Sequence, residues 1–548
     1  MKRWVQGLIA ALVLAVSAPA LAQSRPVVTT QEGRLRGEAA DGINIFRGVP
    51  YAEPPTGWRR WRPPQQASRW RGERDATAFG PACYQPTPRE GSIYAAGERM
   101  QMSEDCLFLN VWAPADARGA PVLVWIHGGS LIAGAGSEAM YDGARMAREG
   151  VIVVSINYRL GVLGYLALPG LSSESRQGVS GNYGLLDQIE ALRWVQRNIA
   201  AFGGDLNNVT IAGESAGALS VMYLMAARDA RGLFSKVIAQ SAYMVTAPEL
   251  RDSTFANFPP AEGIGVWLAT QLGARDLATM RAMSAEALVN GAAAAGYFPF
   301  PNIDGRVLER QLVDVFDRGE QAPVPILAGF NEGEIRSLRF LLPPAPADAN
   351  AYTSEIRARY GDLADAFLQR YGADDIGESM LATTRDAMYG WTSERLVRKQ
   401  TRLGAPSFLY YFDHGYPAAD EAGLHAFHAA EIPYVFGNLR ATPPRWPAVP
   451  DMAEEVALSD AMLSYWVTFA RDGRPSAPGQ AEWRPYGVER NYMAFEATPQ
   501  PRTGVLQGAY ELHEEVVCRR RAQGGIAWNW NVGIVSPPLP PANPQCRR

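Results

Sequence analysis

Lysine is almost missing from this 548-residue chain: only Lys2, Lys236 and Lys399 occur, so arginine supplies nearly all of the 52 basic residues. The arginines are scattered, and 56 acidic residues leave a formal charge of −4. Nucleic-acid-binding proteins gather basic charge into a patch or stripe, so that class is excluded. Histidine is scarce as well, at five residues, which leaves few candidates for a general base and few ligands for a metal. No internal repeat is present, which rules out solenoids and propellers. After the first twenty-odd residues no apolar run is long enough to cross a bilayer, so no stable membrane insertion is expected.

What is present begins with a leader. Lys2 and Arg3 precede a short apolar run, Leu8 to Val16, and Ala20-Leu21-Ala22 is an A-x-A cleavage site. Residues 1–22 therefore read as a signal peptide cut after Ala22, and the mature chain is expected to be secreted or periplasmic. Four cysteines, Cys83, Cys106, Cys518 and Cys546, then suggest two disulfides. Three pairings are open. Joining near neighbours gives Cys83–Cys106 and Cys518–Cys546; free buried thiols are the alternative.

Apolar residues make up 47% of the chain, ample for a large core. Val122 to Ile126, Val151 to Ile156 and Val209 to Ala212 are short apolar runs of the kind buried in a parallel sheet. Between the last two lies an amphipathic helix, Leu185 to Ile199, with Leu186, Ile189, Leu192 and Val195 on its apolar side. Val237 to Ala239, Pro325 to Ala328 and Phe408 to Phe412 are further strands, the last being the final clear one. The fold class is therefore α/β, a mostly parallel central sheet flanked by helices, with Ala-rich helical insertions over one face. Residues 23–518 form one domain, and the Pro-rich stretch 519–548 reads as a tail of uncertain order.

Gly213-Glu214-Ser215-Ala216-Gly217 fits G-x-S-x-G after a strand and before an apolar segment, Ala218 to Met225. That is the setting of a nucleophile elbow, in which a sharp turn holds the serine hydroxyl clear of the sheet. A serine hydroxyl needs a base, a group to orient the base, and donors for the oxyanion. His127-Gly128-Gly129-Ser130 follows a strand, as an oxyanion loop does. The chain order serine, acid, histidine then points to the late histidines, of which His425 and His428 precede Glu431. Their i, i+3, i+6 spacing with Glu431 also suits a helical metal site, but the order is not that of a zinc-peptidase motif, and no metal is expected.

These features come in an order that resembles the type-B carboxylesterase family, which includes the cholinesterases. Phe46-Arg47-Gly48-Val49-Pro50-Tyr51-Ala52 is similar to the family's N-terminal signature. Ser103-Glu104-Asp105-Cys106-Leu107-Phe108-Leu109-Asn110-Val111 matches its E-D-C-L-x-L-N-V segment, and Phe202-Gly203-Gly204-Asp205 leads into the nucleophile strand. The likeness runs to about Trp483 and implies a Ser-Glu-His triad. Its acid segment corresponds to Gly329-Phe330-Asn331-Glu332-Gly333-Glu334, which implies Glu334, with Glu332 as a decoy. Its H-G-x-E segment corresponds to His428-Ala429-Ala430-Glu431, which implies His428 as base, with alanine in place of glycine. The resemblance also implies the Cys83–Cys106 disulfide, oxyanion amides at Gly129, Ser130 and Ala216, and supporting roles for Glu214 and Ser241. Cys518 and Cys546 lie beyond the likeness, and their pairing rests on parity.

The implied activity is hydrolysis of a small-molecule carboxylic ester through an acyl-enzyme, without a cofactor. Related acyl transfer or amide cleavage, and a non-catalytic adhesion module on the same fold, are the other readings. Where cholinesterases hold a quaternary ammonium on tryptophan, the spacing from Cys106 leads to Ala96, with Tyr94 nearby, which disfavours a choline-type site. Phe258, Tyr297, Phe298, Phe300 and Phe340 are candidate pocket aromatics or plain packing residues.

Overall fold

The computed structural model describes residues 25–88, 90–96, 100–253, 258–525, 527 and 532–546; the expected leader, ending at Ala22, lies outside them. Eleven strands form one sheet: β1 (Glu38–Ala40), β2 (Ile43–Pro50), β3 (Phe108–Pro114), β4 (Ala120–Ile126), β5 (Ile152–Ile156), β6 (Gly204–Glu214), β7 (Lys236–Gln240), β8 (Ile326–Asn331), β9 (Ser407–Phe412), β10 (Asn491–Phe495) and β11 (Pro499–Thr503). Their spatial order is β11-β10-β9-β8-β7-β6-β4-β5-β3-β2-β1. The stretch from β5 through β10 is parallel throughout, and both flanks are antiparallel.

The apolar runs are continuous because both faces of the sheet are covered. On β4, Val122, Val124 and Ile126 enter one core, while Leu123 and Trp125 enter the opposite one. Alternation of this kind follows from the two-residue repeat of a strand. The first core is closed by α1 (Tyr183–Asn198), which buries Leu185, Ile189, Leu192, Trp194 and Val195, and by α2 (Ala216–Ala226), buried over almost its whole length. The second is closed by α4 (Ala453–Asp472), through Leu458, Met462, Trp466 and Phe469. The expected insertions are present. Helices at Ala261–Gln271, Leu277–Ala282, Ala285–Ala294 and Leu312–Arg318 separate β7 from β8. Between β8 and β9 lie Ala349–Tyr360, Ala364–Arg370, Ile376–Arg385, a π-helical turn at Asp386–Gly390 and α3 (Trp391–Arg402).

Two features differ from the sequence reading. Phe408–Phe412 is not the last strand, because β10 and β11 extend the sheet. β11, Pro-Gln-Pro-Arg-Thr, is an exposed edge strand whose prolines and polar residues carry no strand pattern. The supposed tail boundary at residue 518 falls within α5 (Ala509–Gln523). Residues 532–546 then lie along the body of the protein. Leu539 N donates to Arg359 O at 2.7 Å and Gly533 N to Tyr360 Oη at 2.8 Å. Cys518 and Cys546 are bonded, with Cα atoms 5.6 Å apart, as are Cys83 and Cys106, with Cα atoms 5.0 Å apart.

The bridges span 23 and 28 residues. Loop closure of that length stabilises the folded state by about 3 kcal/mol. Replacing Cys518 and Cys546 together by serine is therefore expected to lower the urea unfolding free energy by about that amount. An unchanged midpoint and slope would mean that the C-terminal stretch is not part of the cooperative unit.

Candidate active site

β6 ends at Glu214, and the chain turns sharply through Ser215, whose φ of 56° and ψ of −120° lie outside the usual regions for a non-glycine residue. Such a conformation costs roughly 1–3 kcal/mol and persists only where its surroundings enforce it. Here Ser215 N donates to Gln240 O of β7 at 2.9 Å, and Leu219 N donates to Ser215 O at 2.9 Å. Two residues on, a Cβ on Gly217 would stand 2.0 Å from Ile126 O, so only glycine lets α2 leave the sheet so tightly. Ser215 retains 7% exposure and stays reachable from solvent.

The loop after β4 lies against this turn. A Cβ on Gly128 would come within 2.9 Å of Glu214 Oε2 and 3.3 Å of Ser215 Cβ. His127 stacks on Tyr158 at 4.5 Å, its Nδ1 is 2.9 Å from Gly128 O, and burial lowers its pKa to about 4. It is therefore neutral and shapes the loop. Ser130 and Leu131 follow in left-handed conformation, with φ of 57° and 60°. Among the described residues the amides of Gly129, Ser130 and Ala216 have no hydrogen-bond acceptor, so all three are free donors.

Glu334 and His428 come from two other loops. β8 ends at Asn331, and Asn331 N donates to Glu334 Oε1 at 2.9 Å. Glu334 is fully buried, and its Oε2 accepts from His428 Nδ1 at 2.5 Å. Glu332 turns the other way, toward Arg385 at 3.2 Å and Arg336 at 3.5 Å. His425 also points away, between Asp413 at 3.0 Å and Asp420 at 2.7 Å; the Asp413 bond, opposed by partial burial and aided by Asp420, lifts its pKa to about 9. The helical spacing of His425, His428 and Glu431 is not realised, because His425 and Ala429 have positive φ. Glu431 instead accepts from Asn331 Nδ2 at 2.7 Å and Gln240 Nε2 at 2.9 Å.

His428 Nε2 lies 3.1 Å from Glu214 Oε1, while Ser215 Oγ makes no hydrogen bond among the described residues. Burial pushes the imidazole pKa down, but Glu214 and then Glu334 outweigh it and raise it to about 9. Burial also drives Glu214 up, to about 8, helped by Glu431 and Glu334 against the pull of His428. The pair thus holds its protons above neutrality. Ser241 is buried with φ of 49°, and its Oγ has no partner among the described residues. Four residues come to the site that the motifs did not place there. Gln240 links Glu431 to Trp466 Nε1, at 2.9 Å in each bond. Tyr389, on the π-helical turn, packs 5.2 Å from the His428 ring, with Tyr243 5.9 Å behind it. Tyr94 reaches the His428 carbonyl. A π-helical turn has no reliable sequence signal. Of the pocket aromatics, Phe258, Phe298 and Phe300 form one group with ring spacings of 5.0 and 5.9 Å. Phe340 stands 65% exposed on its own short turn.

Comparison with known proteins bears on this geometry. The model of the carboxylesterase family matches residues 24–513, beyond the Trp483 limit visible from motifs. A fumonisin B1 esterase of Sphingopyxis macrogoltabida is 36% identical over 493 residues, covering 85% of each chain. A para-nitrobenzyl esterase of Bacillus subtilis is 36% identical over 473 residues, covering 84% of this chain and 93% of its own. Among solved structures, a PNB esterase superposes with a TM-score of 0.78 at 32% identity, over 89% of this chain and 99% of that one. A Geobacillus stearothermophilus carboxylesterase gives 0.76 at 33% identity, over 89% and 100%.

An imidazole must be neutral to accept a proton, and a raised pKa keeps His428 charged to higher pH. kcat/KM is therefore expected to rise with pH along a limb whose midpoint lies near pH 9, the value to which His428 is raised, rather than near the ordinary 6.5. Glu214→Gln removes the largest raising charge and is expected to move this limb to lower pH. Steady-state rates on an aryl acetate between about pH 6 and 10 check both. A limb that stays put in Glu214→Gln would show that Glu214 does not set the titration of His428.

Proposed function

The chain belongs to the carboxylesterase family and is a serine-type carboxylic ester hydrolase working through an acyl-enzyme, and from that premise we propose that Ser215, His428 and Glu334 carry its reaction. Ser215 Oγ attacks the ester carbonyl carbon while His428 Nε2 takes its proton. The carbonyl oxygen gains negative charge and is held by the amides of Gly129, Ser130 and Ala216. The tetrahedral intermediate collapses as His428 returns the proton to the departing alkoxide. Water, deprotonated by the same nitrogen, attacks the acyl-serine and releases the acid. Glu334 fixes the imidazole with its Nδ1 proton inward and balances the charge that forms on it. Glu214 Oε1, 3.1 Å from Nε2, raises the pKa of the imidazole on the side that exchanges protons.

The observation that carries this reading is the buried bond between Glu334 and His428, made by residues 94 positions apart. Such a bond leaves one imidazole nitrogen for proton transfer, and that nitrogen lies 3.1 Å from Glu214, the residue next to the strained Ser215.

For the substrate, we propose a broad range of small carboxylic esters. The names of similar proteins mention para-nitrobenzyl esters, cocaine and fumonisin B1, which differ widely in size. We also propose export as a secreted or periplasmic enzyme. The leader ending at Ala22 and the pairing of all four cysteines support an oxidising destination.

A fluorophosphonate is expected to add once, at Ser215, and not to add to Ser215→Ala, as read by peptide mass spectrometry. His428→Ala and Glu334→Ala are each expected to lose on the order of a thousandfold in kcat/KM, whereas His425→Ala stays near the starting value. Activity surviving in His428→Ala but lost in His425→Ala would overturn the base assignment.

A further inference from the structure

Alanine follows the base in this chain, where the resembled H-G-x-E segment has glycine, and Ala429 has a φ of 69°. In that left-handed region a Cβ crowds the following carbonyl, a strain that glycine escapes. The peptide joining His428 to Ala429 is thus biased to rotate away from its present orientation. Rotation there would swing the imidazole, whose Nδ1 has to stay 2.5 Å from Glu334. Something must hold that peptide.

The oxygen of the same peptide, the His428 carbonyl, is 3.0 Å from Tyr94 Oη, which donates to it. Tyr94 arrives from 334 positions away, on the loop closed by the Cys83–Cys106 bond. Its hydroxyl also lies 2.7 Å from Ser337 Oγ, three residues past Glu334 on the acid loop. A hydroxyl has one proton and also accepts, so a proton from Ser337 to Tyr94 and one from Tyr94 to the carbonyl satisfy both contacts. The Tyr94 ring meets Trp446 edge-on at 5.9 Å, and Trp446 packs at 4.7 Å on Phe427, the residue before the base. Burial holds the Tyr94 phenol well above its ordinary pKa, so it remains a donor across the working range.

We infer that Tyr94 is a positioning residue for the general base: its hydroxyl fixes the strained His428–Ala429 peptide and ties it to the loop that carries Glu334. It touches no reacting atom and acts through the backbone of His428. The inference rests on the reading of His428 as the base.

A double-mutant cycle tests it. Tyr94→Phe is expected to lower kcat about tenfold with little change in KM, because the alignment of the base is lost and not substrate affinity. Ala429→Gly relieves the strain, so Tyr94→Phe in that background is expected to cost no more than about twofold. Ser337→Ala, which leaves the carbonyl contact in place, is expected to cost about twofold or less. Equal losses in the alanine and glycine backgrounds would overturn the inference, since a merely structural tyrosine has no reason to couple to residue 429. So would a kcat loss in Tyr94→Phe that only tracks a falling folded fraction by circular dichroism. His428→Ala separates the two failures. If it keeps full activity, the base reading falls; if it is inactive while Tyr94→Phe is unaffected, only the role of Tyr94 falls.

Discussion

The site depends on one buried hydrogen bond, Glu334 Oε2 to His428 Nδ1 at 2.5 Å. A carboxylate and an imidazole removed from water are stable together only if the geometry is tight and the remaining polar atoms find partners. Here Asn331 supplies a partner through its backbone and ties the surrounding loops through its side-chain amide. Asn331 N bonds the other oxygen of Glu334, and Asn331 Nδ2 bonds both Phe427 O, at 2.9 Å, and Glu431. The loops that carry Glu334 and His428 are further joined by a short parallel bridge between Gly333 and Phe427. β8 and β7 deliver Asn331 and Gln240 to these contacts, so the sheet sets the position of the bond.

Strain gathers around that bond. Among the described residues nine non-glycine residues have positive φ, and six of them lie on loops of the site: Ser130, Leu131, Ser215, Ser241, His425 and Ala429. Each exchanges local backbone energy for a direction in space that a relaxed residue would not give. The sheet can bear this because its two cores are buried through both faces. Burial keeps Glu214 protonated past neutrality, and once it ionises its charge, with that of Glu334, holds the proton on His428 up to about pH 9. A base held protonated at neutrality gains proton-accepting strength at the expense of the fraction that is free to act.

The parallel half of the sheet was legible because its strands are buried on both sides, and continuous apolar runs such as Val122 to Ile126 are the direct result. The elbow was legible because Gly217 has no room for a side chain, a local demand that leaves a local mark. Glu334 was named only through resemblance to a family; the residues themselves offered Glu332 equally. What stayed hidden was made of distant contacts. Nothing near Tyr94 foretells a bond to His428, and nothing near Gln240 foretells Glu431. β11 escaped because an exposed edge strand needs no apolar pattern. The C-terminal stretch escaped because proline-rich sequence looks the same whether it is free or laid along a surface, as residues 532–546 are.

Five histidines make the central claim open to direct measurement. With histidine alone labelled with nitrogen-15, His428 is assigned by its loss in His428→Ala, and its ring is titrated by NMR. The account predicts an imidazolium that persists to about pH 9, with an Nδ1 proton far downfield that disappears in Glu334→Gln. A His428 ring that titrates near 6.5, with no downfield proton to lose, would contradict it.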